Sequence, residues 1–300
     1  MKKILLIFVL FGQLIFAQQV GFLSVKTIEK LNGNGFYHPV FSPTSDFLIV
    51  TNMNFEGLKM ISLKTNEVKT ITEEKGAGYG VRISDDGNSV LFRKTELIKN
   101  LKYSSLHLLT LNNNSQKQLI SRTRDNFTSS FSANKPYFVK GVKLNRKSVP
   151  QSELKPVIQI EDRKMILYKG SNRTKLTPNG ENASYIWPSV SPDQTKIVYT
   201  VASKGTWVCD INGSNVRSLG KLSAPKWLNN NTIIGMDDKD NNKEVISSTI
   251  VAVSSDGTMR QTLTNEFEVK AMYPTASVDG KKIAFCTDNG DLYLLNIENK

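Results

Sequence analysis

Histidine and cysteine are the scarcest chemistry-bearing residues, with two of each in 300 residues. Zinc sites draw three or four closely spaced ligands from Cys, His and carboxylates, and the sequence offers no such cluster. His107 lies within the apolar run 106–109 and reads as structural. His38 precedes Pro39 at the start of a strand, at one end of which it would face any channel mouth; a single histidine there makes neither a metal site nor an acid–base pair. Cys209 and Cys286 sit in separate apolar strand patterns and read as buried small hydrophobes rather than as a bridge. No G-x-S-x-G nucleophile elbow occurs. The acidic run 237–242 lacks the sixth-position glycine and twelfth-position glutamate of a calcium loop, so it reads as a polar hairpin. The expectation is no metal, no cofactor and no catalytic residue.

Long apolar runs are also missing, apart from residues 4–16. Lys2 and Lys3 precede that run and Ala17 ends it, the pattern of a signal peptide over 1–17. It is short of the roughly 20 residues a membrane-spanning helix needs, and no cysteine near its end would carry a lipid. The mature chain is therefore expected in the periplasm or secreted, with no transmembrane segment after cleavage.

Charge is plentiful and of one sign, with a formal net charge of +12. Most of it falls in residues 135–175, where eleven Lys and Arg face three acids. One reading is a solvated surface with basic edge strands. The other is a basic patch of Lys143, Arg146, Lys147, Arg163 and Lys164 facing an acidic glycan, lipid or protein. Nucleic acid is an unsuitable partner, because the patch lacks the stacking aromatics that single-strand binders use.

What the chain has in abundance is one pattern, clearest over 185–220. A strand leads to a turn at Ser191, Pro192 and Asp193, a second strand follows over 196–202 and a third over 206–211, and Asn212-Gly213 turns the chain into a fourth. The turn after each first strand recurs at Ser42, Ser84, Ser132, Ser191, Leu228 and Ser277, with gaps of 42, 48, 59, 37 and 49 residues. Four strands per period of 40 to 50 residues are the signature of propeller blades.

Six blades are expected over residues 20–300. The 59-residue gap is read as one irregular third blade, with 141–155 as a surface insertion punctuated by Pro150 and Pro156. The last copy stops at Lys300 without a fourth strand. The missing strand is expected at the other end, since Val25-Lys26-Thr27-Ile28 repeats Val68-Lys69-Thr70-Ile71, the fourth strand of the first copy. Pairing of the N-terminal strand with the last blade would close the ring and hide an edge.

The repeated segments FSPTS at 41–45, ISDDG at 83–87, VSPDQ at 190–194 and SVDG at 277–280 resemble the TolB-type, WD-like β-propeller repeats. The blade endings Ile71-Thr72, Leu176-Thr177 and Leu263-Thr264 match the same pattern. With the first blade expected almost directly after the signal peptide, no counterpart is expected of the separate domain that precedes the propeller in the TolB family's periplasmic member. The resemblance implies an exported, non-catalytic propeller that docks a protein or glycan of the cell envelope, as a monomer or within a hetero-complex.

Alignment on the turns brings Tyr37, His38, Tyr79, Phe127, Trp187 and Tyr273 to one end of the ring. They form either a binding collar at the channel mouth or wedges between blades. The expected function is a binding or scaffold protein. The alternative is a polysaccharide-processing enzyme, lyase or hydrolase, relying on His38 and channel acids.

Overall fold

The computed structural model describes residues 21–146, 149–241, 243–264 and 269–299. The signal peptide expected over 1–17 lies outside them. Seven antiparallel sheets are formed, five of four strands and two of three. The protein is thus a seven-bladed propeller, which corrects the expected six. The innermost strands of blades 1 to 7 are Tyr37–Phe41, Arg82–Ile83, Phe127–Ser132, Val157–Glu161, Tyr185–Val190, Ser223–Trp227 and Ala271–Ala276.

The extra blade comes from the 59-residue gap. Blade 3 is Phe127–Ser132, Lys135–Lys140 and Lys143–Asn145; blade 4 is Val157–Glu161, Lys164–Lys169 and Asn172–Leu176. Both first hairpins turn on two residues with positive φ, Ala133-Asn134 and Asp162-Arg163, as type I′ turns do. Blade 4 therefore has no anchor residue of the kind by which the other copies are counted. The supposed insertion is not a surface excursion either. Val149 and Leu154 are buried, and the Tyr137 hydroxyl donates to the Lys155 carbonyl at 2.8 Å, so the segment is packed beside blade 3.

The recurring turn is a hydrogen-bond device. Buried Ser191 donates to the Asp193 carboxylate at 2.6 Å and accepts the Lys196 N–H at 2.9 Å, while Asp193 accepts the Thr195 N–H at 3.1 Å. Ser84 with Asp86 and Ser277 with Asp279 repeat it. Each serine satisfies a strand-end donor that burial would otherwise leave unpaired. The serine hydrogen bonds hold all three carboxyls below the usual carboxylate range.

The apolar core is a ring of seams. Val81, Val90 and Phe92 of blade 2 pack on Ile49 and Leu58 of blade 1, and equivalent clusters join each later pair round to blades 7 and 1. Neither face of a blade can be covered by its own strands, so each face is buried by a neighbour. Cys209 and Cys286 are free and buried in two different seams, and burial pushes both thiols up to about 12. His107 is buried against Phe92, with Ser105 Oγ and Gln116 Nε2 each at 2.9 Å from a ring nitrogen. The acidic run 237–242 falls in the hairpin of Thr232–Asp240 with Val245–Ser254, apart from Asn242, which lies outside the described residues.

The N-terminal strand Leu23–Lys30 is the outermost strand of blade 7. Val25 pairs with Ile297 and Ile28 with Leu295, across a bulge at Lys26, as the duplicated tetrapeptide leads one to expect. Gln261 of blade 6 then grips the strand, since its side chain accepts the Leu23 N–H at 2.9 Å and donates to the Leu23 carbonyl at 2.8 Å.

Candidate functional site at the channel mouth

Four innermost strands break register at the same place, four and three residues before the turn. The broken pairs are Tyr37/Val40, Ile186/Ser189, Ser223/Lys226 and Met272/Thr275. Each bulge holds a proline, namely Pro39, Pro188, Pro225 and Pro274, which has no N–H to give to the ladder. The residue before each proline has positive φ: His38 at 51°, Trp187 at 51°, Ala224 at 49° and Tyr273 at 52°. Gly80 has the same sign at the equivalent position in blade 2. A bulge re-aims a side chain that regular pleating would turn elsewhere. Left-handed backbone at a bulky residue costs on the order of 1–3 kcal/mol, and such strain gathers at binding and active sites.

Three of the six expected collar residues gather with a residue the sequence did not single out. The His38 ring stacks on Phe55 at 4.1 Å between centroids and leans on Tyr273 at 4.3 Å; Phe55 meets Tyr79 edge-on at 5.8 Å. Tyr79, Phe127 and Trp187 line a cavity of about 340 Å³ that runs from blade 2 to blade 5. Tyr79 is 60% and Trp187 46% exposed, so both rings offer a free face. Phe127 is buried. Tyr37 is turned away, packing in the seam between blades 7 and 1 with its hydroxyl donating to the Asp288 carbonyl at 2.9 Å.

Three cations complete the mouth, and none was singled out from the sequence. Arg82 and Lys226 stand two residues before the turn on the innermost strands of blades 2 and 6, where other copies carry Val40, Ser130, Ser189 and Thr275. Their strand neighbours Val81, Pro225 and Trp227 are buried in the blades, which points Arg82 and Lys226 the other way, into the channel. Both keep free surface, because the channel admits water, yet protein surrounds them. That loss of bulk solvent lowers both pKa values, Lys226 to about 8 with Arg82 repelling it as well.

Arg93, on the second strand of blade 2, lies 3.8 Å over the Phe127 ring and 5.4 Å from that of Tyr79. It donates to the Phe127 carbonyl at 2.9 Å, and its buried Nε has no partner among the described residues. Among those residues no carboxylate forms an ion pair with Arg82, Arg93 or Lys226. One signal was available: a charge inside a short apolar inner strand, as in 81–83 and 225–227, is tolerated where the side chain reaches water.

Burial, with Lys226 adding to it, pulls the His38 pKa down to about 4, so the ring is neutral at pH 7. An unfolded chain takes the proton near pH 6.5. Stability must then fall as pH drops from about 6.5 towards 4, because the unfolded state binds the proton first, and this contribution is flat below. After a discount for partial exposure the loss is about 2 kcal/mol. His38→Phe is expected to keep the stack and abolish that slope, as measured by urea midpoints between pH 7 and 4.

The basic residues of 135–175 are spread over blades 3 and 4. Lys143 follows the turn at the mouth end of blade 3, one register step from Lys140 and hence from Phe127. Arg163 and Lys164 lie in the first hairpin of blade 4, which reaches the mouth end of blade 5: the Arg163 carbonyl accepts the Tyr185 N–H at 2.9 Å, two residues before Trp187. Arg146 donates to the Val149 carbonyl at 3.1 Å and Lys164 to the Ala183 carbonyl at 2.9 Å. Lys147 lies outside the described residues.

No model of a known protein family matches the chain, and no curated protein matches it either. Among the described residues no helix is long and apolar enough to cross a membrane. Solved structures do match. TolB from Acinetobacter baumannii aligns at TM-score 0.50 and 18% identity over 77% of this chain and 54% of its own, so this chain spans about half of that protein's length. A putative TolB from Agrobacterium tumefaciens aligns at TM-score 0.57 and 15% identity over 91% and 96%. The protein U3-55K aligns at 0.62 and 9% over 90% and 98%. At such identities the likeness establishes the fold, a TolB-like β-propeller of WD40 type.

Proposed function

We propose that the protein is an exported, non-catalytic propeller that binds a partner of the cell envelope, a protein or an acidic glycan, at its channel mouth. The observation that supports this is the strained backbone under His38, Trp187 and Tyr273. Packing alone does not require three bulky residues to adopt left-handed conformations at one end of a channel. A rigid ring of aromatic faces held ready for a ligand gives that strain a use. The polysaccharide-processing alternative asks His38 to act with channel acids. Instead the ring stacks between Phe55 and Tyr273, and the charge that reaches it is the Lys226 ammonium.

A photo-crosslinking amino acid placed at position 187, and separately at position 278, exposed in the turn after Ser277 at the opposite end, tests the reading in the cells that make the protein. A discrete adduct from 187 with none from 278 is expected. Adducts from 278 alone, or none from 187, would overturn it.

A further inference from the structure

The mouth cavity combines two features that single out one ligand chemistry. Its walls carry the exposed faces of Trp187 and Tyr79, flat surfaces on which a sugar ring stacks. Its lining carries Arg82 and Arg93, and Lys226, on the innermost strand of blade 6 beyond that lining, is close enough to Arg82 for the two charges to repel. Arg82 makes one hydrogen bond, to the Val81 carbonyl at 2.9 Å, which leaves most of its donors open. Two uncompensated cations that repel each other are held at the end of a partly enclosed space. An anion entering there would relieve that repulsion and would meet weak competition from bulk water.

We propose that this cavity binds a carboxylate-bearing sugar, its ring lying against Trp187 and its carboxylate taken by Arg82 and Lys226. The inference rests on the binding reading above and narrows it to one ligand class. At about 340 Å³ the space is at the small end of ligand pockets. It accommodates the end of a saccharide chain more readily than a folded protein surface. A guanidinium matches a carboxylate in two parallel hydrogen bonds, which makes Arg82 the recognition group. Lys226 supplies a second, titratable charge. His38 stays neutral above pH 4 and adds none.

The test uses a matched pair of probes, cellobiose and cellobiose oxidised to a carboxylate at C6, titrated into the purified mature protein by calorimetry. They share stacking faces and differ in charge. The acid is expected to bind at least tenfold tighter, Arg82→Gln to lose that advantage while leaving the neutral sugar unchanged, and Trp187→Ala to weaken both.

Affinity of the wild type for the acid should fall as pH rises through about 8, where Lys226 loses its proton. Lys226→Arg should remove that fall, a readout that does not depend on a disruptive variant. Equal binding of the two sugars would sink the charge assignment and leave the mouth as a binding site. Displacement by inorganic phosphate as effective as by the acid would reduce the site to an anion site. Binding of a peptide with a free C-terminal carboxylate, in place of either sugar, would overturn the sugar assignment. Absence of binding by every probe overturns this inference, while the adduct at position 187 decides the parent reading separately.

Discussion

Removal of residues 21–30 is expected to abolish the cooperative fold rather than to trim one strand. The reason is geometric, since that segment is at once the outer strand of blade 7 and the lock on the ring. Leu23 is fully buried in the seam of blades 6 and 7, against Ile250, Ile283 and Phe285 among others. The Gln261 clamp ties its backbone to blade 6. Without the strand, a sheet edge is exposed and a seam is left half covered. Leu23→Ala alone should cost about 3 kcal/mol, and Gln261→Ala about 1–3 kcal/mol by leaving the Leu23 groups unpaired. Urea denaturation of the three variants checks the order, with the truncation worst. An unchanged midpoint in the truncated protein would contradict a locked ring.

Gly290→Ala is expected to destabilise the protein far more than Gly220→Ala, although the two glycines have nearly the same φ, +77° and +75°. A Cβ at Gly220 meets nothing within 4 Å, so the cost is the left-handed conformation alone, about 1–2 kcal/mol. A Cβ at Gly290 would stand 2.7 Å from the Gly35 Cα and 2.9 Å from the Tyr37 ring, where blade 7 touches blade 1. Backbone cannot step aside there, because the Gly290 carbonyl accepts the Phe36 N–H at 2.9 Å. The additional loss should be about 2–3 kcal/mol or more. Equal midpoints for the two variants would show that the joint beneath His38 yields. Should Gly290→Ala also weaken binding at the mouth, the joint sets the collar as well as the ring.

The aromatic collar was only partly legible in the sequence. The dipeptides His38-Pro39, Trp187-Pro188, Ala224-Pro225 and Tyr273-Pro274 mark the bulges at one constant distance from the turn. Tyr37, Tyr79 and Phe127 lie one residue earlier, ahead of the bulge, and have different fates: a seam, a free face and a buried wall. Phe55 belongs to a turn between strands, and nothing in the repeat assigns it to the mouth. Arg93 enters through the second strand, where Thr51, Thr200 and Cys286 stand in other copies, so only the joining of blades 2 and 3 reveals its neighbours.

What the sequence determined by itself was local: the serine–aspartate turn, the hairpins around it, the meander they make, and the strand of 25–28 that matches an outer strand. Those follow from hydrogen bonds between residues a few positions apart, which a repeating spacing records directly. The number of blades, the pointing of Arg82 and Lys226 into one channel and the end of the ring at which each basic residue lies were decided by the tertiary structure. Blade 4 turns on the positive-φ dipeptide Asp162-Arg163 with no anchor serine, and it counts apart from blade 3 because Val139 packs against Ile166 and Tyr168 across a seam. Packing between sheets joins residues that are distant in the chain, and no spacing along one strand encodes how many neighbours will close the circle.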